Sequence, residues 1–503
     1  MKVALLILCI LSAVVPRGWR WYIERKQARK HNCKAPPSYP HWDLIFGLDA
    51  LLKFFKAFWQ HRLMIEINKT FDDIQGGVHT FSINFLGSTT IYTREPENVK
   101  SVFATNHKSY TIPQTRKDSL GIFGPGIFTS DGQHWEASRA LLRPNFMRSQ
   151  LDTRLIEVHV SALITKIPKD GSAIDLVELF SDLTMDIATE LFLGESTHLL
   201  QGNRDPKALR FSEAFGFVSE KLSVKMGIGW LANVLPDRKF DDGVRDLKEF
   251  IGVYVKRALD LRCRISDEIV EKHETNDKRR YVFLTELAKS GYPQSRIAAE
   301  LMNVITAGRG SITSILTVLW FTIARQPEVF KKLKHEVDVV LEGRLPTFEE
   351  LKSLRYLGLT LKEIQRMYPV IPVNSRVAIV DTIIPLGGGL DGLSPVFIKK
   401  GTRVLHFPFA MHRRKDIFGA DADNFIPERW ADLRTSWEYL PFSGGPRTCL
   451  GQQMALTEAS YTTVRMLQAF DNVEPGDDSV WAEKLVLAMS VESACCLKFA
   501  RGK

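Results

Sequence analysis

One cysteine of this chain sits in a setting suited to metal chemistry. It ends the stretch Pro441-Phe442-Ser443-Gly444-Gly445-Pro446-Arg447-Thr448-Cys449-Leu450-Gly451. Glycines accept backbone angles that other residues refuse and Pro446 removes a donor, so the stretch reads as a loop. A helical pattern follows, from Gly451 to about Phe470. The free amides and positive dipole end of such a helix point at the sulfur and stabilise a thiolate, the form that ligates metal. The plainer reading is a buried cysteine acting as a small hydrophobe, which has no need of a Gly-Gly-Pro-Arg loop.

Other residues carry weaker signals. Trp135 and Arg139 lie four apart on a predicted helix and share a face. Glu363 and Arg366, in Lys362-Glu363-Ile364-Gln365-Arg366-Met367-Tyr368-Pro369, are three apart and close enough for an ion pair. Alone, each pair is an ordinary helix contact. Gly308 and Gly310 fall within Thr306-Ala307-Gly308-Arg309-Gly310-Ser311-Ile312-Thr313. This is the centre of a run, Ile297 to Ile323, apolar on nearly all sides, which reads as a long buried helix. A glycine there costs about 1 kcal/mol relative to alanine, so two of them imply close approach of a flat ligand or a local opening.

The elements that must position these residues are mostly helical. Residues 151 to 290 show amphipathic helical pattern, with the dense charges from Glu268 to Arg280 read as a solvated connection. Val78 to Arg94 reads as a hairpin around Gly87-Ser88, and Arg403 to His406 as a strand. Gly387-Gly388-Gly389 through Ser394-Pro395 reads as a loop. The basic run Met411 to Asp416 is either a solvated face or a docking surface for an acidic partner. The fold class is therefore mainly α with smaller β-sheets.

The 503 residues, 45% hydrophobic, can bury a large core, and no internal repeat or linker divides them. A net charge of +9 permits a membrane surface, an acidic protein or nucleic acid as partner. No basic cluster interleaved with aromatics supports nucleic acid. Six cysteines without paired spacing favour a reducing compartment. Val3 to Val15 is apolar but shorter than the ~20 residues that span a bilayer comfortably. A cleaved signal peptide has such a length, yet the positive charges follow the run and favour an uncleaved anchor with the rest cytosolic. In that case Asn68-Lys69-Thr70 is no working glycosylation site. Residues 1–16 are thus the expected anchor, 17–40 a basic, Pro-rich hinge and 41–503 the main domain. Phe54, Phe55 and Phe58 read as core in preference to a second membrane contact.

The spacing Phe-x-x-Gly-x-Arg-x-Cys-x-Gly, with Ala455 after it, resembles the haem-binding loop of cytochrome P450 monooxygenases. The other motifs occur in that family's order: Trp-x-x-x-Arg, the Ala-Gly central helix, Glu-x-x-Arg, Pro-Glu-Arg-Trp at Pro427 to Trp430, and the cysteine loop. Gly124-Pro125-Gly126-Ile127-Phe128, Met411 to Asp416 and Gly444 to Tyr461 resemble more narrowly the fungal alkane and fatty-acid ω-hydroxylase branch. The resemblance implies haem b held between the central helix and the cysteine-loop helix, with Cys449 as the metal ligand. It implies Trp135, Arg139, Arg376 and Arg447 around the haem carboxylates, with Phe442 in the cofactor loop. It also implies a structural triad of Glu363, Arg366 and Arg429. Electrons would come from NADPH through a separate NADPH–cytochrome P450 reductase, since no dinucleotide fingerprint follows a strand here. The location implied is the endoplasmic reticulum membrane, and the substrate a lipophilic small molecule.

One departure stands out. Gly310 and Ser311 occupy the places where the family carries an acid and a threonine that deliver protons to dioxygen. Proton delivery then falls to water, Ser311, Thr306 or Thr313. A haem-thiolate isomerase or dehydratase acting on a peroxide, or an inactive haem-binding chain, would tolerate that loss. Pocket-lining stretches are expected around Ile122 and Phe123, on the central helix, at Val370 to Val373 and at Leu487 to Ser490.

Overall fold

The computed structural model describes residues 22–43, 46–147, 152–202, 205–228, 237–268 and 283–500. The expected anchor and the charged connection after Glu268 lie outside them. Contacts divide the chain into two compact units that interleave in sequence. The first takes the chain up to Pro113 with Val373–Ile417 and Thr435–Thr448; the second takes Gln114–Pro372, Phe418–Arg434 and Cys449–Lys503.

The first unit is built on a five-stranded sheet of order β1-β2-β8-β5-β3. Its strands are β1 Thr80–Phe85, β2 Ser88–Thr93, β3 Tyr110–Thr111, β5 Asn374–Ala378 and β8 Arg403–His406. β1 and β2 form the expected hairpin, turned by Leu86 and Gly87, both at positive φ as a tight twisted turn requires. β8 runs parallel to β2 and antiparallel to β5. Strands β6 Thr382–Gly388 and β7 Ser394–Ile398 pair with an irregular register. Gly387 and Gly388 therefore end a strand and are not loop. The cause is a close approach: a Cβ on Gly388 would lie 2.6 Å from the Lys34 carbonyl oxygen. Ile91, Val102, Phe103, Val404 and Met411 form a core, against which Trp437 and Leu440 pack from the segment leading into the cysteine loop.

Residues 22–30 are helical, since no proline interrupts them, and only the proline-rich part of the expected hinge is extended. There Ser38 bridges Ser82, with the Ser82 amide donating to Pro37 O at 2.8 Å. Helix α1, Leu48–Trp59, follows. It buries Phe54, leaves Phe58 half-buried and turns Phe55 outward, 54% exposed. The reading of all three as core holds for Phe54 alone.

The second unit is helical. Its elements include α2 Gly132–Leu142, α3 Thr153–Lys166, α4 Leu176–Leu193, α5 Pro206–Ile228, α6 Arg238–Glu268, α7 Gln294–Ile323, α8 Arg355–Met367 and α9 Gln452–Ala469. α7 is the long central helix and is buried along most of its length. Polar bonds lock it to α4: Thr184 Oγ1 meets Thr313 Oγ1 at 2.7 Å, and Arg309 Nη2 donates to Ser181 Oγ at 2.6 Å. Two small sheets complete the unit: β4 Ile174–Asp175, β12 Cys496–Ala500 and β9 Asn472–Pro475 in one, β10 Glu483–Leu485 and β11 Met489–Val491 in the other.

Candidate active site

Cys449 lies three residues ahead of α9, whose N-cap position, Gly451, offers no side-chain cap. The orphan amides of the first turn are left for the sulfur. The Gly451 N–H hydrogen-bonds the Cys449 thiol, and the Arg139 guanidinium stands close enough to act on it electrostatically. Burial nevertheless outweighs both and raises the thiol's pKa above its ordinary value. The expected thiolate is therefore not a property of the loop alone: desolvation favours the neutral thiol, and a cation on the sulfur is needed to hold the charge. The thiol still keeps accessible surface, as a donor in a recess does. Trp135 and Arg139 are both half-buried, with the guanidinium 5.9 Å from the centre of the indole ring. Burial and Arg143 lower the Arg139 pKa, while Cys449 opposes them.

The first unit carries the loop ahead of the cysteine. Ser443 and Gly445 take positive φ, and the Thr448 hydroxyl donates to Phe442 O at 3.3 Å. A Cβ on Gly445 would lie 2.1 Å from Phe103 O, so only glycine lets the loop lie on this backbone. Arg376 projects from β5 with its guanidinium 4.3 Å from the centre of the Phe103 ring. It also donates to Ser375 O at 2.7 Å and to Asn374 Oδ1 at 3.1 Å. Arg447 is half-buried. His406 was not singled out by sequence. It pairs with Asn374 across the sheet, is buried edge-on to Phe103, and neither ring nitrogen has a hydrogen-bond partner among the described residues. Burial first, then Arg376, lowers its pKa to about 3. Haem requires one soft donor for iron and cations for two carboxylates; the second unit offers the Cys449 thiol with Arg139, and the first unit by itself carries Arg376 and Arg447.

On α7 the expected proton-delivery residues separate. Thr313 bonds to α4 and is taken up in packing. Thr306 donates its hydroxyl to Met302 O at 2.6 Å, and Ser311 is half-buried. Gly308 is explained by protein rather than by a flat ligand, since its Cβ would come within 3.3 Å of the Phe192 ring. Gly310 faces open space within 4 Å, and α7 is continuous through both glycines, without a local opening.

Two of the expected pocket stretches are tied to α7 or to each other. The Ser314 hydroxyl donates to Met489 O, and the Met489 amide donates to Val370 O at 2.8 Å. Glu300 and Asn303 were missed, although two polar residues three apart in an apolar helix were a readable signal.

The structure brings Glu363, Arg366 and Arg429 together. Glu363 and Arg366, both 0% exposed, form a bidentate pair at 2.8 Å. Arg429 reaches Glu363 only at 3.5 Å and is held more firmly by Asp421 at 2.8 Å and by Phe418 O. Trp430 Nε1 and the Ile426 amide complete the carboxylate's shell. Breaking such a buried pair costs about 3–5 kcal/mol. The basic run Met411 to Asp416 is solvated only in part, at Lys415 and Asp416. Its His412 is buried and Arg414 pairs with Glu95 at 2.9 Å and Asp416 at 2.6 Å.

Known proteins share sequence with this chain over most of its length. The family model described as Cytochrome P450 matches residues 47–490. The chain is 37% identical over 484 residues to the cytochrome P450 monooxygenase himC of Aspergillus japonicus, covering 96% of this chain and 86% of that one. It is 37% identical over 518 residues to the cytochrome P450 monooxygenase fsdH of Fusarium heterosporum, covering 100% and 90%. With cytochrome P450 52A1 of Candida tropicalis it shares 40% identity over 427 residues, covering 81% and 77%.

Proposed function

The chain belongs to the cytochrome P450 family, and from that membership we propose a haem-thiolate monooxygenase hydroxylating a lipophilic fatty acid, alkane or secondary-metabolite intermediate. The observation that carries this reading is an accessible cysteine thiol at the uncapped start of α9 with Arg139 beside it. Cys449 is the iron ligand. Arg139, Trp135, Arg376 and Arg447 hold the haem carboxylates, and Phe442 belongs to the cofactor loop. The bound haem supplies the oxidation, inserting one atom of dioxygen into an unactivated C–H bond.

The chain's own residues bind, orient and move protons. Thr306 keeps its hydroxyl proton on Met302 O and leaves its oxygen lone pairs as acceptors. Ser311 supplies the other hydroxyl, and Gly310 supplies none. Electrons come from NADPH through a separate reductase.

Membrane association follows the same reading. The outer face of α1 exposes Leu48, Leu51, Leu52, Phe55 and Trp59 at helical spacing, an apolar stripe fit for a bilayer interface. With residues 1–16 as anchor, it supports attachment to the endoplasmic reticulum with the catalytic part in the cytosol.

The test is the reduced carbon-monoxide difference spectrum. The purified protein should show a Soret band of thiolate character, and Cys449→Ser should lose it. A band without thiolate character in the unmodified protein overturns the reading. A peroxide-rearranging enzyme is the second reading, favoured by the empty position at Gly310. Turnover of a lipid hydroperoxide without reductant, with no hydroxylated product when reductase and NADPH are present, would establish it instead.

A further inference from the structure

We propose that Glu300 and Asn303 are substrate-positioning residues, latching loop 124–130 onto the central helix and so setting how a lipophilic chain lies against that helix. The proposal rests on the monooxygenase reading for the word substrate, though not for the latch itself.

The contacts are specific. The Ile127 amide donates to Glu300 Oε2 at 3.2 Å, and the Phe128 amide donates to Asn303 Oδ1 at 3.3 Å. Asn303 turns its amide nitrogen to Ala299 O at 2.7 Å, which fixes which end of its side chain meets the loop. The loop lies directly on the helix because it lacks side chains where it touches. A Cβ on Gly124 would sit 2.8 Å from Ala299 Cβ, and one on Gly126 would sit 2.6 Å from Asn303 Nδ2. Thr129 closes the loop on itself, accepting from the Gly126 amide at 2.9 Å.

Two arguments separate this from ordinary packing. Glu300 is 0% exposed, and a carboxylate buried to that degree is expensive where an apolar residue would pack as well. Arg296 is its counter-charge, with Nε 3.1 Å from Glu300 Oε1 but no aligned hydrogen bond between the two atoms. Arg296 continues to Ser138 Oγ at 2.6 Å and to the His134 ring. Both residues belong to α2, the helix of Trp135 and Arg139, so one charged chain ties loop, central helix and the proposed haem-side helix together. The second argument is periodicity. Positions 299, 303, 306 and 310 recur at helical spacing on one face of α7. The loop is therefore fastened, at Ala299 and Asn303, to the face that further along carries Thr306 and Gly310, and its Ile127 and Phe128 are half-buried.

The test uses the full haem-loaded protein and Glu300→Gln, Glu300→Leu and Asn303→Leu. Hydrogen exchange at the Ile127 and Phe128 amides reads the latch. It should rise about tenfold in the two leucine variants, as for loss of one hydrogen bond, and stay near the parent in Glu300→Gln, which keeps an acceptor. Spectral-shift titration with saturated fatty acids from octanoate to stearate reads the positioning. The leucine variants should change the preferred chain length or lower the spread of affinities at least about threefold, a change expected of lost orientation. An intact thiolate Soret band shows that each variant holds its haem. Unchanged exchange overturns the latch, and raised exchange with an unchanged chain-length profile overturns the positioning role. If Glu300→Leu does not fold, Asn303→Leu decides alone. Neither reading needs turnover. If the parent shows intact exchange protection and selective shifts yet forms no hydroxylated product with reductase, the monooxygenase reading fails and the latch stands.

Discussion

At Gly310 the missing side chain has a measurable consequence. Beyond its chain neighbours and the helix backbone, no atom of the described residues lies within 4 Å of a Cβ built there, so a side chain can start from this position without a clash. Gly310→Asp should raise the ratio of product formed to NADPH consumed several-fold, far less than the roughly 10²–10⁴ that a positioned acid or base contributes to a rate, because the ratio cannot exceed one. An unchanged ratio would show that proton delivery is not the weak step. Glu458, on α9, raises a different question. It is 2% exposed, its Oε1 has no hydrogen-bond partner among the described residues, and burial pushes its pKa from 4.5 up to about 8. The folded chain keeps a proton that the unfolded chain releases. The contribution of this carboxyl to stability is therefore full below pH 4.5 and falls as pH rises towards about 8. The slope is at most about 1.4 kcal/mol per pH unit. Glu458→Gln should flatten that decline and raise the denaturation midpoint at neutral pH. Parallel curves for the two proteins would show that the carboxyl is solvated by internal water.

Among elements, the cysteine loop depends on one contact more than on its composition. A methyl group on Gly445 must displace either the loop or the turn at Phe103, and φ of 72° adds strain for any other residue. Gly445→Ala should lose haem markedly faster on transfer to an excess of apomyoglobin, whereas Gly308→Ala, which needs only a small shift of the Phe192 ring, should keep it. Equal loss rates for Gly445→Ala and the parent would show that the loop adapts. The loop and the Glu363–Arg366 pair were legible in the sequence because fixed spacing on one element brings their residues together. Arg414 was not. A run of charges reads as a solvated face, and its partner Glu95 is more than three hundred positions away, so its burial has no local signature. Gly388 was misread for the same reason: the Lys34 carbonyl that demands a glycine belongs to a distant segment. Thr313 looked like a second hydroxyl for chemistry because periodicity places it on the central helix without saying which helix faces it.

For the molecule as a whole, the helical class and the order of motifs were readable, but the division into units was not. It falls between Thr448 and Cys449, inside the motif that looked most continuous. The outer face of α1 was likewise hidden, since Phe54 and Phe55 are neighbours in sequence and opposite in burial. Its apolar stripe belongs to no core within its own unit, and a chain with net charge +9 is drawn to anionic lipid. Leu52 is 62% and Phe55 54% exposed, so replacing both by aspartate leaves the packed interior untouched. A chain beginning at Tyr22, without the apolar N-terminal run, should still bind vesicles containing anionic lipid. In the Leu52→Asp/Phe55→Asp form its partition should fall at least about a hundredfold, from loss of two inserted side chains worth about 1.5–3 kcal/mol each. Thermal midpoints of the two forms should agree, which separates membrane contact from folding. If the double variant sediments with vesicles as strongly as its parent, attachment lies elsewhere on the chain, and the stripe on α1 faces a protein instead of a lipid surface.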